Sequence, residues 1–269
     1  MIEWISCGAR PRCAWTVLTV VCLLFTACRR RTEEPVVRNV TVYAAASLQE
    51  ALTEIGRKYE ASHAGTKILF SFDASGSLAK KIDEGAPADV FVSASDEWMR
   101  YLVKQGKVPA DQSKVLLNNR LVCVVPSDSE LKLKGPGDLA GVNRIAIGDP
   151  AQVPAGEYAV EALKKLGLWD RMNQEKRFVL GSNVRVALAW VESKEAQAGI
   201  VYRSDAMATT KVRQVFEFPQ ETHSPITYLI GPVSKSATTR QFISFLESNA
   251  ASGIFSRYGF IPAVAKKEE

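Results

Sequence analysis

Short runs of apolar and β-branched residues alternate along most of the chain with segments whose apolar residues recur at the period of a helix. The predicted strands are the segments "VTVYAA", "KILFSF", "ADVFVSA", "RLVCVVP", "RIAIGD", "RFVLG" and "GIVY". The predicted helices begin at Leu48, Leu78, Asp96, Gly156 and Val184. Strands that alternate with helices in this way are typical of largely parallel sheets covered by helices on both faces. The pattern therefore predicts an α/β fold.

The pattern changes near the end of the chain. The segments "RQVFEFP" and "ITYLIGPV" are predicted as strands with no helix between them, and residues 234–260 as one or two helices with Phe242, Phe245 and Leu246 on one face. In a two-lobed protein such a tail often returns to the first lobe. We therefore expect lobe one to comprise residues 39–117 plus 213–269 and lobe two residues 118–212, with the two crossings forming a hinge.

The start of the chain differs in composition from the rest. Arg10 and Arg12 precede an uncharged apolar run over residues 14–27, which is too short to span a bilayer comfortably and is typical of the apolar region of a signal peptide. We predict that residues 1–27 are an export signal, with an uncleaved membrane anchor as the alternative. The protein would then work in the periplasm or cell envelope.

The segment "LFTAC", which ends this run at Cys28, resembles the lipobox of bacterial lipoproteins, although Phe25 stands where that motif usually has an aliphatic residue. Lipidation of Cys28 would make residues 28–38 a tether. The three arginines that follow Cys28 would then be attracted to an anionic bilayer surface. An ordinary signal peptide without lipidation is the alternative.

Cysteine usage and charge narrow the function classes. Four of the five cysteines lie in the first 28 residues, which leaves Cys123, in an apolar run, as a predicted core thiol with no partner for a disulfide. The net charge is +5, with acidic and basic residues interspersed and no basic stripe carrying aromatic residues. We therefore expect no nucleic-acid partner.

Small residues cluster where four predicted helices begin, each directly after a strand. These starts lie at Ser47, Ser75, Ala155 and Val184. In open α/β sheets, ligands bind beyond the carboxyl ends of strands, where helix amino termini offer free N–H groups and a partial positive charge. The four starts predict a cradle for an anion. For Ser47 there is an alternative, because Glu50 completes an S-x-x-E capping box that needs no ligand.

The residues that would make this chain an enzyme are missing from the sequence. Its two histidines, His63 and His223, stand in stretches typical of a helix end and a loop, and no zinc-protease, nucleophile-elbow or phosphate-loop motif occurs. We predict binding without catalysis, with no cofactor and no bare metal ion. An exported enzyme with Ser47 or Ser75 as nucleophile is the alternative, but neither can be assigned a histidine or lysine partner.

Five segments carry a resemblance to a known family. They are "TVYAAASL", "GAPADVFVSASDEWM", "IGDPAQVPAGEYAVEALKKLGLWD", "GIVYRSDA" and "IFSRYGF". Together they resemble the periplasmic molybdate-binding proteins of ABC importers over about residues 39–260. The resemblance implies a two-lobed periplasmic binding protein of type II that closes on molybdate or tungstate in its cleft. It also implies a monomer that delivers this ligand to the membrane subunits of an ABC permease.

The same resemblance implies which residues bind the oxyanion. Ser47 and Ser75 would each offer a hydroxyl and a backbone N–H, Ala155 and Val184 a backbone N–H, and Tyr202 its phenolic hydroxyl. Two neighbours bear on this site: Asp73 would repel a dianion unless it turns away, and Arg203 is expected to be exposed. A different oxyanion, such as sulfate or phosphate, and a lipid-anchored oxyanion sensor remain open as alternatives.

Overall fold

The computed structural model describes residues 38–263 of the chain. The predicted signal peptide and the predicted lipidation site at Cys28 lie outside the described residues, as does all of the predicted tether except its last residue. No helix within residues 38–263 is long and apolar enough to cross a membrane.

Eleven strands and nine α-helices build the described part of the chain. The strands are β1 (Arg38–Ala45), β2 (Thr66–Asp73), β3 (Val90–Ser93), β4 (Lys114–Asn118), β5 (Leu121–Pro126), β6 (Ile145–Gly148), β7 (Phe178–Gly181), β8 (Ala198–Tyr202), β9 (Val212–Glu217), β10 (Thr227–Pro232) and β11 (Ile261–Pro262). The helices are α1 (Gln49–Ser62), α2 (Ser75–Asp83), α3 (Asp96–Lys104), α4 (Pro154–Lys165), α5 (Trp169–Gln174), α6 (Val184–Glu192), α7 (Arg203–Met207), α8 (Ala237–Leu246) and α9 (Asn249–Arg257). The predicted starts at Leu48, Leu78 and Gly156 lie within three residues of the observed ones.

The strands form two sheets, each the centre of one lobe. The first has the order β11-β4-β10-β3-β1-β2 and the second the order β7-β6-β8-β5-β9. Helices flank both sheets, which confirms the α/β fold. The predicted core thiol is buried in β5, where Cys123 is fully covered, and Phe242 and Leu246 of α8 are buried as the helical pattern predicts.

The sheets are mixed rather than largely parallel, which corrects one prediction. β1 runs parallel to β2 and β3, and β6 runs parallel to β7 and β8. β10 is antiparallel to β3 and β4, and β5 is antiparallel to β8 and β9. Parallel neighbours need a helical crossover, whereas β5 and β10 enter their sheets directly from a crossing between the lobes.

The second crossing also lies later than predicted. β9 was expected in lobe one from residue 213 onward, but it pairs with β5 in the second sheet, with Cys123 opposite Phe216. Val212 and Phe216 of β9 are buried against that sheet. The chain therefore returns to the first lobe between β9 and β10, and it first leaves that lobe between β4 and β5.

Candidate functional site

All five residues implied by the resemblance line one cavity between the two sheets: Ser47, Ser75, Ala155, Val184 and Tyr202. The space open to the centre of a water molecule is about 10 Å³, close to the minimum that holds a single water. A sugar or an amino acid would need far more room, so a ligand of this closed cavity must be small.

The first lobe contributes two chain turns at the carboxyl ends of neighbouring parallel strands. Ser47 lies in a short 3-10 turn, Ala46–Leu48, between β1 and α1. Ser75 is the first residue of α2, directly after β2. Both serines are buried, and helix geometry leaves the N–H groups of a first turn without a partner inside the helix. Both positions line the cavity.

The second lobe contributes two further helix starts. Ala155 follows Pro154, which has no N–H, in the first turn of α4. Val184 is the first residue of α6, and the side chain of Asn183 caps that helix by accepting from the N–H groups of Arg185 and Val186 at 3.0 and 3.1 Å. The cap satisfies the next two donors and leaves the N–H of Val184 available to a ligand.

Tyr202 lies at the end of β8 and is 1% exposed. Its hydroxyl has no hydrogen-bond partner among residues 38–263. Burial raises the pKa of this phenol well above its usual value, so the group stays protonated and can donate. Buried polar atoms are nearly always paired, so this hydroxyl on the cavity wall is suited to donate to a bound ligand.

The hydroxyl of Ser75 is also ready to donate. Its oxygen accepts a hydrogen bond of 3.0 Å from the N–H of Ala94. Because that contact uses the oxygen as an acceptor, the hydroxyl hydrogen remains free for a ligand.

Asp73 lines the cavity, yet its carboxylate is engaged by other groups. One oxygen accepts from the N–H of Ala74 at 2.8 Å and lies 3.4 Å from the amide nitrogen of Asn183, in the other lobe. The second oxygen pairs with the ammonium of Lys81 at 3.1 Å. These contacts offset the negative charge that raised doubt about this position. Arg203 is exposed, as expected.

The lobes touch directly around the cavity. The N–H of Gly76 donates to the carbonyl oxygen of Gln152 at 3.1 Å, and the indole N–H of Trp98 donates to Glu157 at 3.1 Å. A Cβ at Gly76 would lie 2.8 Å from the Gln152 oxygen, so only glycine permits this approach. The structure therefore has its cleft closed.

The capping box that was the alternative explanation for Ser47 and Glu50 is absent. No side chain caps the start of the 3-10 turn or of α1. Instead, the Ser47 hydroxyl lies 2.8 Å from the hydroxyl of Tyr228, and Glu50 pairs with the guanidinium of Arg185. The reason is position: Ser47 is inside the turn rather than before it, so its side chain faces the interior.

Three residues near the site escaped the sequence analysis: Asn119, Arg185 and Tyr228. Arg185 follows Val184 directly, and that adjacency was an available signal. Asn119 and Tyr228 gave none, because their contacts with the site depend on tertiary structure. Within residues 38–263, no cluster of three His, Cys, Asp or Glu side chains could hold a metal ion.

Comparisons with known proteins agree with this geometry. Residues 40–261 match the family described as bacterial extracellular solute-binding protein. The chain is 42% identical over 229 residues to the molybdate-binding protein ModA of Haemophilus influenzae, covering 82% of this chain and 89% of that one. It is 39% identical over 225 residues to the putative ABC transporter substrate-binding lipoprotein YvgL of Bacillus subtilis, covering 82% and 86%.

A solved structure is also similar, the substrate-binding domain of a putative molybdenum ABC transporter from Clostridium difficile. Its TM-score with this chain is 0.66 at 35% identity, and the match covers 84% of this chain and 99% of that one. The two lobes and the cleft between them thus have a counterpart in a known binding protein.

Proposed function

Because this chain belongs to the bacterial extracellular solute-binding proteins, we propose that it captures molybdate in the cleft between its lobes and delivers it to an ABC permease. As a member of that family it is a binding component of a transport system and not an enzyme. The buried, unpaired hydroxyl of Tyr202 on a small cavity ringed by helix starts supports an oxyanion as the ligand, and the 42% identity to the molybdate-binding protein ModA of Haemophilus influenzae supports molybdate.

The donor set suits a fully deprotonated dianion. In this proposal the donors are the backbone N–H groups of Ser47, Ser75, Ala155 and Val184 and the hydroxyls of Ser47, Ser75 and Tyr202, and all five residues line the cavity. Hydrogen bonds to a charged acceptor contribute on the order of 1.5 to 3 kcal/mol each. A micromolar to nanomolar site needs roughly 8 to 12 kcal/mol, so several such bonds suffice after the ion has lost its water.

Size and protonation set the selectivity in this proposal. Sulfate has the charge and shape of molybdate but shorter bonds to oxygen, and donors fixed at helix starts cannot follow it inward. Tungstate is close to molybdate in size and should bind about as well. A protonated oxyanion brings a hydrogen that would meet only other donors, which disfavours hydrogen phosphate.

The cellular context is part of the same proposal. The chain would be exported by residues 1–27 and held at the membrane surface through a lipid on Cys28, as a monomer that docks on the permease. The name of the Bacillus subtilis relative, which includes the word lipoprotein, supports the lipid anchor. A lipid-anchored sensor, which would signal rather than deliver, is the alternative.

Isothermal titration calorimetry with molybdate, tungstate, sulfate and phosphate tests the ligand assignment on the purified protein. We expect similar dissociation constants for molybdate and tungstate and far weaker binding of sulfate and phosphate. Thermal melting with the same ions gives an independent ranking, since a ligand that binds only the native state raises its stability. Sulfate binding as tight as that of molybdate would refute the choice of ligand.

A further inference from the structure

Three buried side chains form a hydrogen-bonded row that ends at the cavity. The amide nitrogen of Asn119 lies 3.3 Å from the hydroxyl of Tyr228, and that hydroxyl lies 2.8 Å from the hydroxyl of Ser47. Ser47 lines the cavity, whereas Asn119 and Tyr228 do not. All three are buried, so solvent does not compete for their hydrogens.

The direction of this row is fixed at Asn119. The backbone N–H of Arg120 donates to its side-chain oxygen at 2.9 Å, and only the carbonyl end of an amide can accept that bond. The amide nitrogen must therefore face Tyr228, and its two hydrogens are directed to Tyr228 and to the Ser204 hydroxyl, 2.9 Å away.

Fixing the amide also fixes the two hydroxyls. Asn119 is purely a donor to Tyr228, so the phenol hydrogen cannot be directed back to it. Among residues 38–263 the other recorded partner of that phenol is the Ser47 oxygen. Tyr228 therefore donates to Ser47, and the hydrogen of Ser47 is left to point into the cavity. Burial raises the pKa of Tyr228, which keeps its hydrogen in place.

We propose that Asn119 and Tyr228 are positioning residues that hold the Ser47 hydroxyl as a donor toward the bound oxyanion. This rests on the proposed function, and it extends it from the residues that touch the ligand to two that do not. Without the donor amide of Asn119, the Ser47 hydroxyl could turn its hydrogen toward Tyr228 and present lone pairs to an anion. The two positioning residues flank the crossings between the lobes, where the N–H of Asn119 donates to the carbonyl oxygen of Ile226 at 3.1 Å.

A double-mutant cycle tests this role through dissociation constants measured by calorimetry. We expect Tyr228→Phe, which keeps the ring, to weaken oxyanion binding about threefold to tenfold. In a Ser47→Ala background the same change should alter the constant less than about twofold, because no hydroxyl remains to be oriented. Equal weakening in both backgrounds would overturn the proposal, since a structural effect on the lobes does not depend on Ser47.

Tyr59→Phe is the matched control. Tyr59 is a buried phenol of the first lobe that does not line the cavity, and its removal should leave the dissociation constant unchanged. If Tyr228→Phe does not fold, Asn119→Ala carries the same cycle: it lets the Tyr228 hydrogen turn, so it too should weaken binding only when Ser47 is present.

The choice of oxyanion for this cycle makes a failure of the inference distinguishable from a failure of the proposed function. The cycle is run with whichever of molybdate, tungstate and sulfate the unmodified protein binds most tightly. Tight binding of sulfate rather than molybdate would refute the proposed ligand, and the cycle would still decide the role of Tyr228. Binding of none of the three would contradict both.

Discussion

The guanidinium of Arg185, in the second lobe, donates a hydrogen bond of 3.2 Å to the backbone carbonyl oxygen of Ser47 in the first lobe. The same nitrogen also pairs with Glu50 of the first lobe. On the other side, its Nε lies 3.0 Å from the buried carboxylate of Asp205, close enough for ion pairing although not aligned for a hydrogen bond. Arg185 therefore bridges the closed cleft directly beside Ser47, one of the proposed ligand-binding residues.

We expect Arg185→Lys to weaken molybdate binding by about 1 to 2 kcal/mol, mainly through faster release. A lysine keeps the positive charge, but a single ammonium cannot reproduce the planar contacts with Ser47, Glu50 and Asp205. Stopped-flow intrinsic tryptophan fluorescence measures the release rate, because Trp98 lies in the contact between the lobes. Arg203→Lys, an exposed neighbour, is the control, and an unchanged release rate in Arg185→Lys would show that the bridge plays no part in closure.

Ser75→Ala should weaken binding by about 1 to 3 kcal/mol through the lost donor. It should also lower the stability of the ligand-free protein, because the N–H of Ala94 loses its acceptor. Calorimetry gives the first effect and urea denaturation the second. Ser244→Ala, at an exposed position of α8, should change neither. An unaltered dissociation constant in Ser75→Ala would remove this hydroxyl from the site.

Tyr202→Phe should separate binding from stability. The Tyr202 hydroxyl has no partner among the described residues, so its removal should leave the ligand-free protein as stable as before, or more so. Binding should weaken by about 1 to 3 kcal/mol, since the bond to the oxyanion is lost. The measurements are the melting temperature without ligand and the dissociation constant. A lower melting temperature with unchanged binding would mean that the hydroxyl has a structural partner rather than a ligand.

Local pattern in the sequence was enough to predict the helix starts of the site. Ser75, Ala155 and Val184 each follow a strand in the sequence. Whether the N–H groups of a helix start stay free depends on whether a residue next to it in the sequence caps them. Asn183 illustrates this, because its cap serves the donors after Val184 and not Val184 itself. Tyr202 entered through the resemblance to a family, and its unpaired hydroxyl became visible only in the structure.

The features that sequence reasoning missed depend on contacts between distant parts of the chain. Ser47 and Tyr228 are 181 residues apart, so the local S-x-x-E pattern suggested a capping box that the tertiary contact replaces. β9 was assigned to the wrong lobe for a similar reason. Its apolar residues indicate a strand but do not say which sheet offers it a free edge, and β5 was available in the second lobe.

The pH dependence of stability should change when Glu157→Gln is introduced. Glu157 contacts Trp98 across the cleft, and burial raises its pKa from 4.5 to about 6, with Glu97 and Glu161 adding to the shift. The folded state therefore holds a proton that the unfolded state has lost, so this group lowers the stability as the pH rises from about 4.5 to about 6 and keeps it lowered above that range.

Glutamine retains the acceptor for Trp98 without the charge. We expect the free energy of unfolding from urea titrations to be higher in the variant at pH 7 and to converge with that of the unmodified protein near pH 4. Asp205, whose pKa burial raises to about 6, is present in both proteins and cancels in the comparison. A constant difference between the two proteins over this pH range would show that Glu157 does not titrate between these values.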